Sequence, residues 1–161
     1  SYMSYTNNDG LRVLTNADQG AVKTQGIAGN DPVQVLVVDI TFTSIGATFG
    51  APNIDLNNPY IPAGSFIKRA DLVMTTAATS GGAPTLDIGT YNSAGTAIAA
   101  TGIDAAIALT AIDAVGETVR CDGSHTTTAG YVASDAYIGL KYNTAAYTAG
   151  VGKLYVEYVK L

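Results

Sequence analysis

Short segments in which apolar and polar residues alternate recur along this chain, and this pattern most limits the folds it can adopt. In VQVLVVDITFTS, residues 33–44, the side chains of Leu36, Val38 and Ile40 share one face. Similar alternation occurs in TLDIGTY, AYIGLKYNT and GKLYVEYVKL. A period of two, rich in β-branched and aromatic residues, is typical of a strand with one buried face. The chain is therefore predicted to be mostly β-sheet.

The segment SFIKRADLVMTT, residues 65–76, is predicted to be another strand. Its alternation directs Phe66, Leu72 and Met74 toward the core, together with Ala70. Lys68 interrupts that face and is expected near its edge, where the ammonium group reaches water.

The number of strands and turns then indicates the fold class. Six or seven strands are separated by Gly- and Pro-rich turns, and the one helical candidate is DAAIALTAIDAVG, residues 104–116. There Ile103, Ile107 and Ala111 have near-helical spacing and Asp104 is placed to cap. This pattern predicts an all-β protein, an antiparallel β-sandwich of jelly-roll type with at most one short helix. An immunoglobulin-like sandwich is the alternative, although the paired Cys and the Trp are missing.

Composition divides the chain into two parts. Residues 1–30 are polar and rich in Asn, Gly and Gln, which predicts an extended N-terminal arm. Residues 31–161 are then the jelly-roll domain. Met3 is a candidate natural start, with Ser1 and Tyr2 as additions.

Charge and length exclude several classes of function. The net charge is −5 and the eight basic residues are scattered, which argues against nucleic acid as a partner. No run of 18 apolar residues occurs, so no membrane partner is predicted. With one cysteine, Cys121, the chain forms no internal disulfide.

The glycine-rich stretch TSGGAP, residues 79–84, raises the question of phosphate binding. A phosphate-binding loop needs a Lys and a hydroxyl after the second glycine, followed by a helix. Here Gly82 is followed by Ala83, by Pro84, which lacks an amide donor, and then by a predicted strand. The segment is therefore interpreted as the tip of a hairpin.

Residues suited to catalysis or metal binding are few. His125 is the only histidine and is expected to be exposed in a loop; Cys121 is expected to be a small buried residue on a strand. The two supply only half of a closed zinc site. Asp39, Asp71 and Asp87 are predicted to face outward from strands, where two of them could form a glycosidase-like pair or a calcium site. No catalytic, cofactor-binding or metal-binding residue is assigned.

The ten tyrosines are the remaining residues in the sequence that could indicate a binding surface. Several alternate with charged residues on strand faces. Tyrosine combines a large apolar ring with a polar tip and is enriched at interfaces. The tyrosines therefore fit a protein interface, a carbohydrate-binding face or the rim of an ordinary core.

Three segments together resemble small structural proteins of tailed-bacteriophage heads, the capsid decoration or cement proteins and related head proteins. They are SYTNNDGLRVL, YIPAGSFIKRADLVMTTAATSGGAPTLDIGTY and YNTAAYTAGVGKLYVEYV, in this order along the chain. The resemblance implies a jelly-roll-like protein without enzymatic activity or cofactor. It implies a location on the outer surface of the virion, where the protein staples subunits of the major capsid protein, with residues 1–30 as the lattice-gripping arm.

The resemblance also implies a homo-oligomer, for which a trimer at a local three-fold axis is favoured and a dimer is an alternative. A second hypothesis is a virion-associated carbohydrate-binding or host-adhesion module, part of a head fibre or a tail. It predicts an exposed, flat row of aromatic rings. A third, least favoured hypothesis is an enzyme on the same sandwich, such as a depolymerase.

Overall fold

The structure is a computed structural model and describes residues 32–53 and 58–161. The arm predicted for residues 1–30 lies outside the described residues. Residues Val33–Leu161 form one compact unit. Its strands are β1 (Val33–Thr41), β2 (Tyr60–Ile61), β3 (Ser65–Ser80), β4 (Thr85–Tyr91), β5 (Ala97–Ala108), β6 (Thr118–Arg120), β7 (Tyr131–Val132), β8 (Ala136–Asn143) and β9 (Tyr147–Lys160). One helical turn, α1, spans Ser124–Thr127, and 3-10 turns span Phe42–Ser44 and Leu109–Ala111.

The strands form two antiparallel sheets. The first has the order β1-β9-β3-β6, and β7 also pairs with β3; the second has the order β2-β8-β4-β5. Most connections cross from one sheet to the other, whereas β4 and β5 form a hairpin within one sheet. This architecture confirms the predicted all-β antiparallel sandwich.

The core contains the inward residues of both sheets. In β1, β8 and β9 the apolar residues predicted to face inward are buried or partly buried against the core. In β4, Leu86 and Ile88 are buried as predicted, but the residues between and beside them are buried as well. The largest fully buried side chains are Phe42, Ile40, Ile61, Ile67, Leu72, Met74, Leu86, Ile88, Ile103, Ile112, Ile138 and Leu140. Burial of this apolar area is the main favourable term in folding.

The start of β3 corrects the sequence prediction. Phe66 is 42% exposed and Ile67 is buried in its place. The pairing with β9 shifts by one residue between Ile67 and Arg69, which makes Lys68 the extra residue of a β-bulge. A bulge reverses the alternation on one side of it, so residues before Lys68 have the opposite orientation to the one predicted.

The predicted helix at residues 104–116 was wrong. The segment continues β5 to Ala108, paired with β4 through Leu86 and Ile107. The register shifts between that pair and the pair formed by Ile88 and Asp104, so β5 has an extra residue there. Ile103 and Ile107 are both buried, as the spacing required, but on a bulged strand. Pairing with β4 therefore outweighs the weak helical propensity of this alanine-rich segment.

Candidate interaction surfaces

The glycine-rich segment connects two sheets rather than two neighbouring strands. β3 ends at Ser80 in the first sheet, and β4 begins at Thr85 in the second. The Ser80 hydroxyl accepts a hydrogen bond from the Gly82 N–H at 3.2 Å. The interpretation as a hairpin tip was therefore wrong. Because a strand follows the turn, the segment also lacks the helix N-terminus on which a phosphate-binding loop depends.

His125 is buried, contrary to the sequence prediction, with only 4% of its surface exposed. It lies in α1, where Nε2 is 2.7 Å from the Thr90 hydroxyl and Nδ1 is 2.9 Å from the Ala129 carbonyl oxygen. A Cβ at Gly102 would overlap the imidazole ring, so this glycine makes room for the histidine. His125 thus fixes α1 against β4 and β5. The burial of His125 could not be predicted from the composition of its own segment, because the pocket around it is formed by strands that are distant in the sequence.

The three aspartates singled out from the sequence do not form a common site. Asp39 lies on β1 and Asp71 on β3, and β9 separates these strands. Asp39 is paired with Lys153, whose pKa is raised by the hydrogen bond to this carboxylate and by its charge. Asp71 accepts hydrogen bonds from Arg69 Nε at 3.0 Å and Arg120 Nη1 at 3.1 Å.

Asp87 lies in the other sheet and was wrongly predicted to be solvent-exposed. It is 8% exposed and accepts hydrogen bonds from the Ala106 N–H at 2.8 Å and from Asn143 Nδ2 at 3.1 Å. The backbone of Ala106 has a φ of 54°, in the left-handed region that a non-glycine residue rarely adopts. Asp87 therefore supports the irregular part of β5.

A second carboxylate site was missed by the sequence reading. Asp104 is buried, and its Oδ1 accepts a hydrogen bond from the Ala105 N–H at 2.8 Å. Burial is the largest cause that raises its pKa to about 6; the neighbouring Asp122 carboxylate adds to this rise, and the hydrogen bonds from the Ala105 N–H and from Cys121 oppose it. Cys121 lies beside this pair and is buried, as predicted, but it follows the end of β6 instead of lying on a strand. Burial and the charge of Asp104 raise the pKa of its thiol. Because Asp104 was interpreted as a helix cap, nothing in the sequence indicated this cluster.

The outer side of β1 exposes a row of apolar side chains. Val33, Val35 and Val37, here called the valine edge, are 50%, 52% and 44% exposed. They lie on the outermost strand of the first sheet. Next to them on the same outer face are the ion pairs that join Asp71 to Arg69 and Arg120. Contiguous exposed apolar side chains with a polar rim are typical of interaction sites.

The outer face of the second sheet has an aromatic band, which consists of Phe49, Tyr60, Tyr91 and Tyr137. Tyr137 on β8 is the direct cross-strand partner of Tyr60 on β2 and of Tyr91 on β4. The ring centroids are 4.9 Å apart for Tyr60 and Tyr137, and 5.6 Å for Tyr91 and Tyr137. Phe49 contacts Tyr91 edge-on at 6.0 Å and lies against Gly139. Burial, followed by the effect of Tyr137, raises the pKa of Tyr91.

The orientation of these rings bears on what the band can bind. The planes of Tyr91 and Tyr137 differ by 23°, so these rings stack face against face. Tyr60 stands on the other side of Tyr137 at a tilt of 35°. Both faces of Tyr137 are therefore occupied by neighbouring rings, and the band presents ring edges and hydroxyl groups. A sugar-binding platform needs open ring faces, whereas edges and hydroxyls suit a protein surface.

Two further observations concern the part of the chain that the structure describes. It contains no helix that is long and apolar enough to cross a membrane. Within the same residues, no three His, Cys, Asp or Glu side chains are grouped closely enough to hold a metal ion.

Comparison with known proteins identifies the fold. No family model and no curated protein matches the chain. Among solved structures, the chain is similar to one in the capsid of Ralstonia phage GP4, with a TM-score of 0.56 and 20% identity over 84% of this chain and 88% of that one. It is also similar to a chain in the capsid asymmetric unit of cyanophage Pam1, with a TM-score of 0.55 and 15% identity over 99% and 100%.

A third similar chain belongs to the acidic stable capsid structure of Helicobacter pylori bacteriophage KHP30. Its TM-score is 0.53 and its identity 12%, over 79% of this chain and 86% of that one. In all three comparisons the alignment covers most of both chains, so the matched chains are similar in length to this one. The fold of this protein is thus one that occurs in phage capsid chains.

Proposed function

We propose that this protein is a structural component of a tailed-bacteriophage head, a decoration protein that binds the outer surface of the shell. The proposal rests mainly on one observation, that most of the chain is similar in structure to chains in three phage capsids. The resemblance of three sequence segments to head decoration proteins points the same way. The partner is the major capsid protein, and the proposal involves neither a cofactor nor catalysis.

The charge of the protein supports a position outside the shell. The net charge is −5 and the sequence pI about 4.5. DNA packed inside a head is strongly anionic, so an acidic protein gains nothing from contact with it. The exposed aromatic band offers apolar contact area to neighbouring subunits, which an isolated monomer does not need.

The mechanism of stabilisation is mass action. A protein that binds the assembled lattice and not its dissociated subunits stabilises the lattice, by about 2.7 kcal/mol per site when its free concentration is about 100 times Kd. Many copies arranged by the symmetry of the shell multiply this effect. Individually modest contacts then suffice, and the sandwich acts as a preformed body that loses little conformational entropy on binding.

Co-sedimentation with heads tests the proposal. Purified protein is added to expanded heads that lack it, taken from the virus that encodes it, with unexpanded proheads as the control. We expect saturable binding to expanded heads and a higher melting temperature of the particles. Absence of binding to both particles would contradict the decoration role.

A carbohydrate-binding or host-adhesion role is the second candidate function, because that hypothesis predicts a row of aromatic rings such as the aromatic band. The rings stack on one another, however, so the flat, open platform is missing. We therefore favour the decoration role. Titration with glycans separates the two: loss of tyrosine fluorescence or NMR line broadening that depends on Tyr60 would support the adhesion role.

A further inference from the structure

The outer side of β1 is an open strand edge with a regular geometry. All nine residues of β1 pair with β9, from Val33 opposite Val159 to Thr41 opposite Val151, without a register shift. Among the described residues, no second strand pairs with β1. A long, straight, apolar edge is a template for pairing with another chain, and proteins usually block such edges with charges, prolines or bulges.

One part of this edge is blocked by a side chain. Asn53 Nδ2 donates to the Asp39 carbonyl oxygen at 2.6 Å, and Asn53 Oδ1 accepts from the Thr41 N–H at 3.3 Å. A single residue that bonds positions i and i+2 imitates a neighbouring strand. The carboxamide of Asn53 therefore ends the open edge at Asp39.

The same two hydrogen bonds reveal which backbone groups face outward. In an antiparallel pair, successive residues direct their N–H and C=O groups alternately toward the partner strand and away from it. Because the carbonyl of Asp39 points away from β9, the backbone groups of Val33, Val35 and Val37 do so as well. The valine edge thus carries outward hydrogen-bonding groups and half-exposed apolar side chains at the same three positions.

We propose that the valine edge binds the valine edge of a second copy of this chain, antiparallel and across a two-fold axis at Val35. In this register Val35 lies opposite Val35 of the second copy, and Val33 lies opposite Val37. Each such pair exchanges two backbone hydrogen bonds, about six in all. Valine meets valine at each of these three pairs, so no charged side chains face each other within them. The two five-stranded sheets become one continuous sheet.

A second copy fits this edge better than an unrelated segment because the edge is complementary to itself. An isologous interface requires that the same patch serve both partners. The open positions are evenly spaced about Val35, so a two-fold axis there pairs every one of them. A register displaced toward Asp39 would meet the carboxamide of Asn53. The proposal concerns the chain itself and does not depend on a role in capsids.

Sedimentation velocity of the purified full chain over a wide range of concentrations tests the proposal. We expect a reversible dimer in the unmodified protein. Val35→Lys introduces two facing charges at the axis, and Val35→Pro removes an outward N–H without touching the β9 ladder. Each change should weaken dimerisation about tenfold or more, which corresponds to about 1.4 kcal/mol. Val115→Lys, at a valine 72% exposed outside the strands, is the matched control and should dimerise normally.

Hydrogen exchange of the unmodified chain provides a readout independent of mutant folding. The amides of Val35 and Val37 should become protected as the concentration rises through the dimer range, while amides at exposed loop positions should not. A monomer at all concentrations would overturn the proposal. So would a trimer, or a dimer that persists unchanged in both Val35 variants while circular dichroism reports a native fold. Failure of head binding would not affect it, because oligomeric state is measured without heads.

Discussion

At the scale of single residues, the buried carboxyl group of Asp104 gives the protein a pH-dependent stability. Its pKa is about 6 in the folded protein, against an ordinary value of 3.8. A raised pKa means that the folded state binds a proton more tightly than the unfolded chain. The resulting stabilisation is present below about pH 4 and is lost as the pH rises through about 6.

Asp104→Asn is therefore expected to stabilise the protein above pH 6, by up to about 3 kcal/mol. Asparagine retains the oxygen that accepts from the Ala105 N–H and imitates the protonated acid beside Asp122. Urea unfolding between pH 4 and pH 8 measures the effect, and the contribution of Asp104 to the pH dependence should vanish in the variant. Asp113→Asn, at an exposed position, serves as the control. Equal pH profiles for the Asp104 variant and the unmodified protein would contradict the assignment.

Gly139 shows how one small residue permits the aromatic band. A Cβ at Gly139 would lie 2.6 Å from Phe49 Cζ, so Gly139→Ala should displace the Phe49 ring. We expect a loss of about 1 kcal/mol in the free energy of unfolding, since overpacking costs energy and the ring loses contacts. In a Phe49→Ala background the same change should cost much less. Denaturant unfolding of the four proteins of this double-mutant cycle measures the coupling, and equal costs in both backgrounds would contradict the contact.

At the scale of elements, the sequence predicted well where a strand is regular and poorly where a residue is inserted. Alternation located β1, β8 and β9 with the correct inward faces, and it placed Leu86 and Ile88 of β4 correctly in the core. It could not reveal the bulge at Lys68, because the inserted residue is visible only through the pairing with β9. The irregular β5 imitated a helical period for the same reason.

The two interaction surfaces could not be predicted from the sequence either, because they depend on the order of the strands in each sheet. The tyrosines were interpreted as fitting a protein interface, a carbohydrate-binding face or the rim of a core. Their stacking could not be predicted, because it depends on the order β2-β8-β4, which joins segments far apart in the chain. The open edge of β1 likewise follows from strand order, and the blocking role of Asn53 from a loop that returns to β1. Alternation indicates which face of a strand is buried but does not indicate which strand is outermost.

The cross-strand stack of Tyr91 and Tyr137 should contribute to the stability of the second sheet. Adjacent aromatic side chains on paired strands interact by about 0.5 to 1.5 kcal/mol beyond the area they bury. A double-mutant cycle with Tyr91→Ala and Tyr137→Ala, followed by urea unfolding, should give a coupling in that range. Tyr155→Ala, on the outer side of β9 in the other sheet, combined with Tyr137→Ala provides a control pair that should show additive effects. Additive effects of Tyr91→Ala and Tyr137→Ala would mean that the stack contributes nothing beyond burial.

At the scale of the whole molecule, folding and attachment to the shell are expected to be separable. The described core is built from residues between Val38 and Val156, and Val33–Leu161 form one compact unit. Residues 1–30, in contrast, were predicted from composition to be an extended arm, and the resemblance to decoration proteins implies that this arm grips the lattice. A sandwich that buries its own core needs no arm to fold, whereas a polar arm can gain its order from a partner.

A chain that lacks residues 1–30 is therefore expected to keep its β-sheet circular dichroism and to melt within a few degrees of the full chain, but to bind expanded heads at least about tenfold more weakly. Co-sedimentation at matched concentrations measures the second effect. A peptide of residues 1–30 should compete with the full chain for heads, and this readout remains valid even if the shortened chain folds poorly. Unchanged affinity of the folded shortened chain, together with a peptide that does not compete, would assign the attachment to the faces of the sandwich instead.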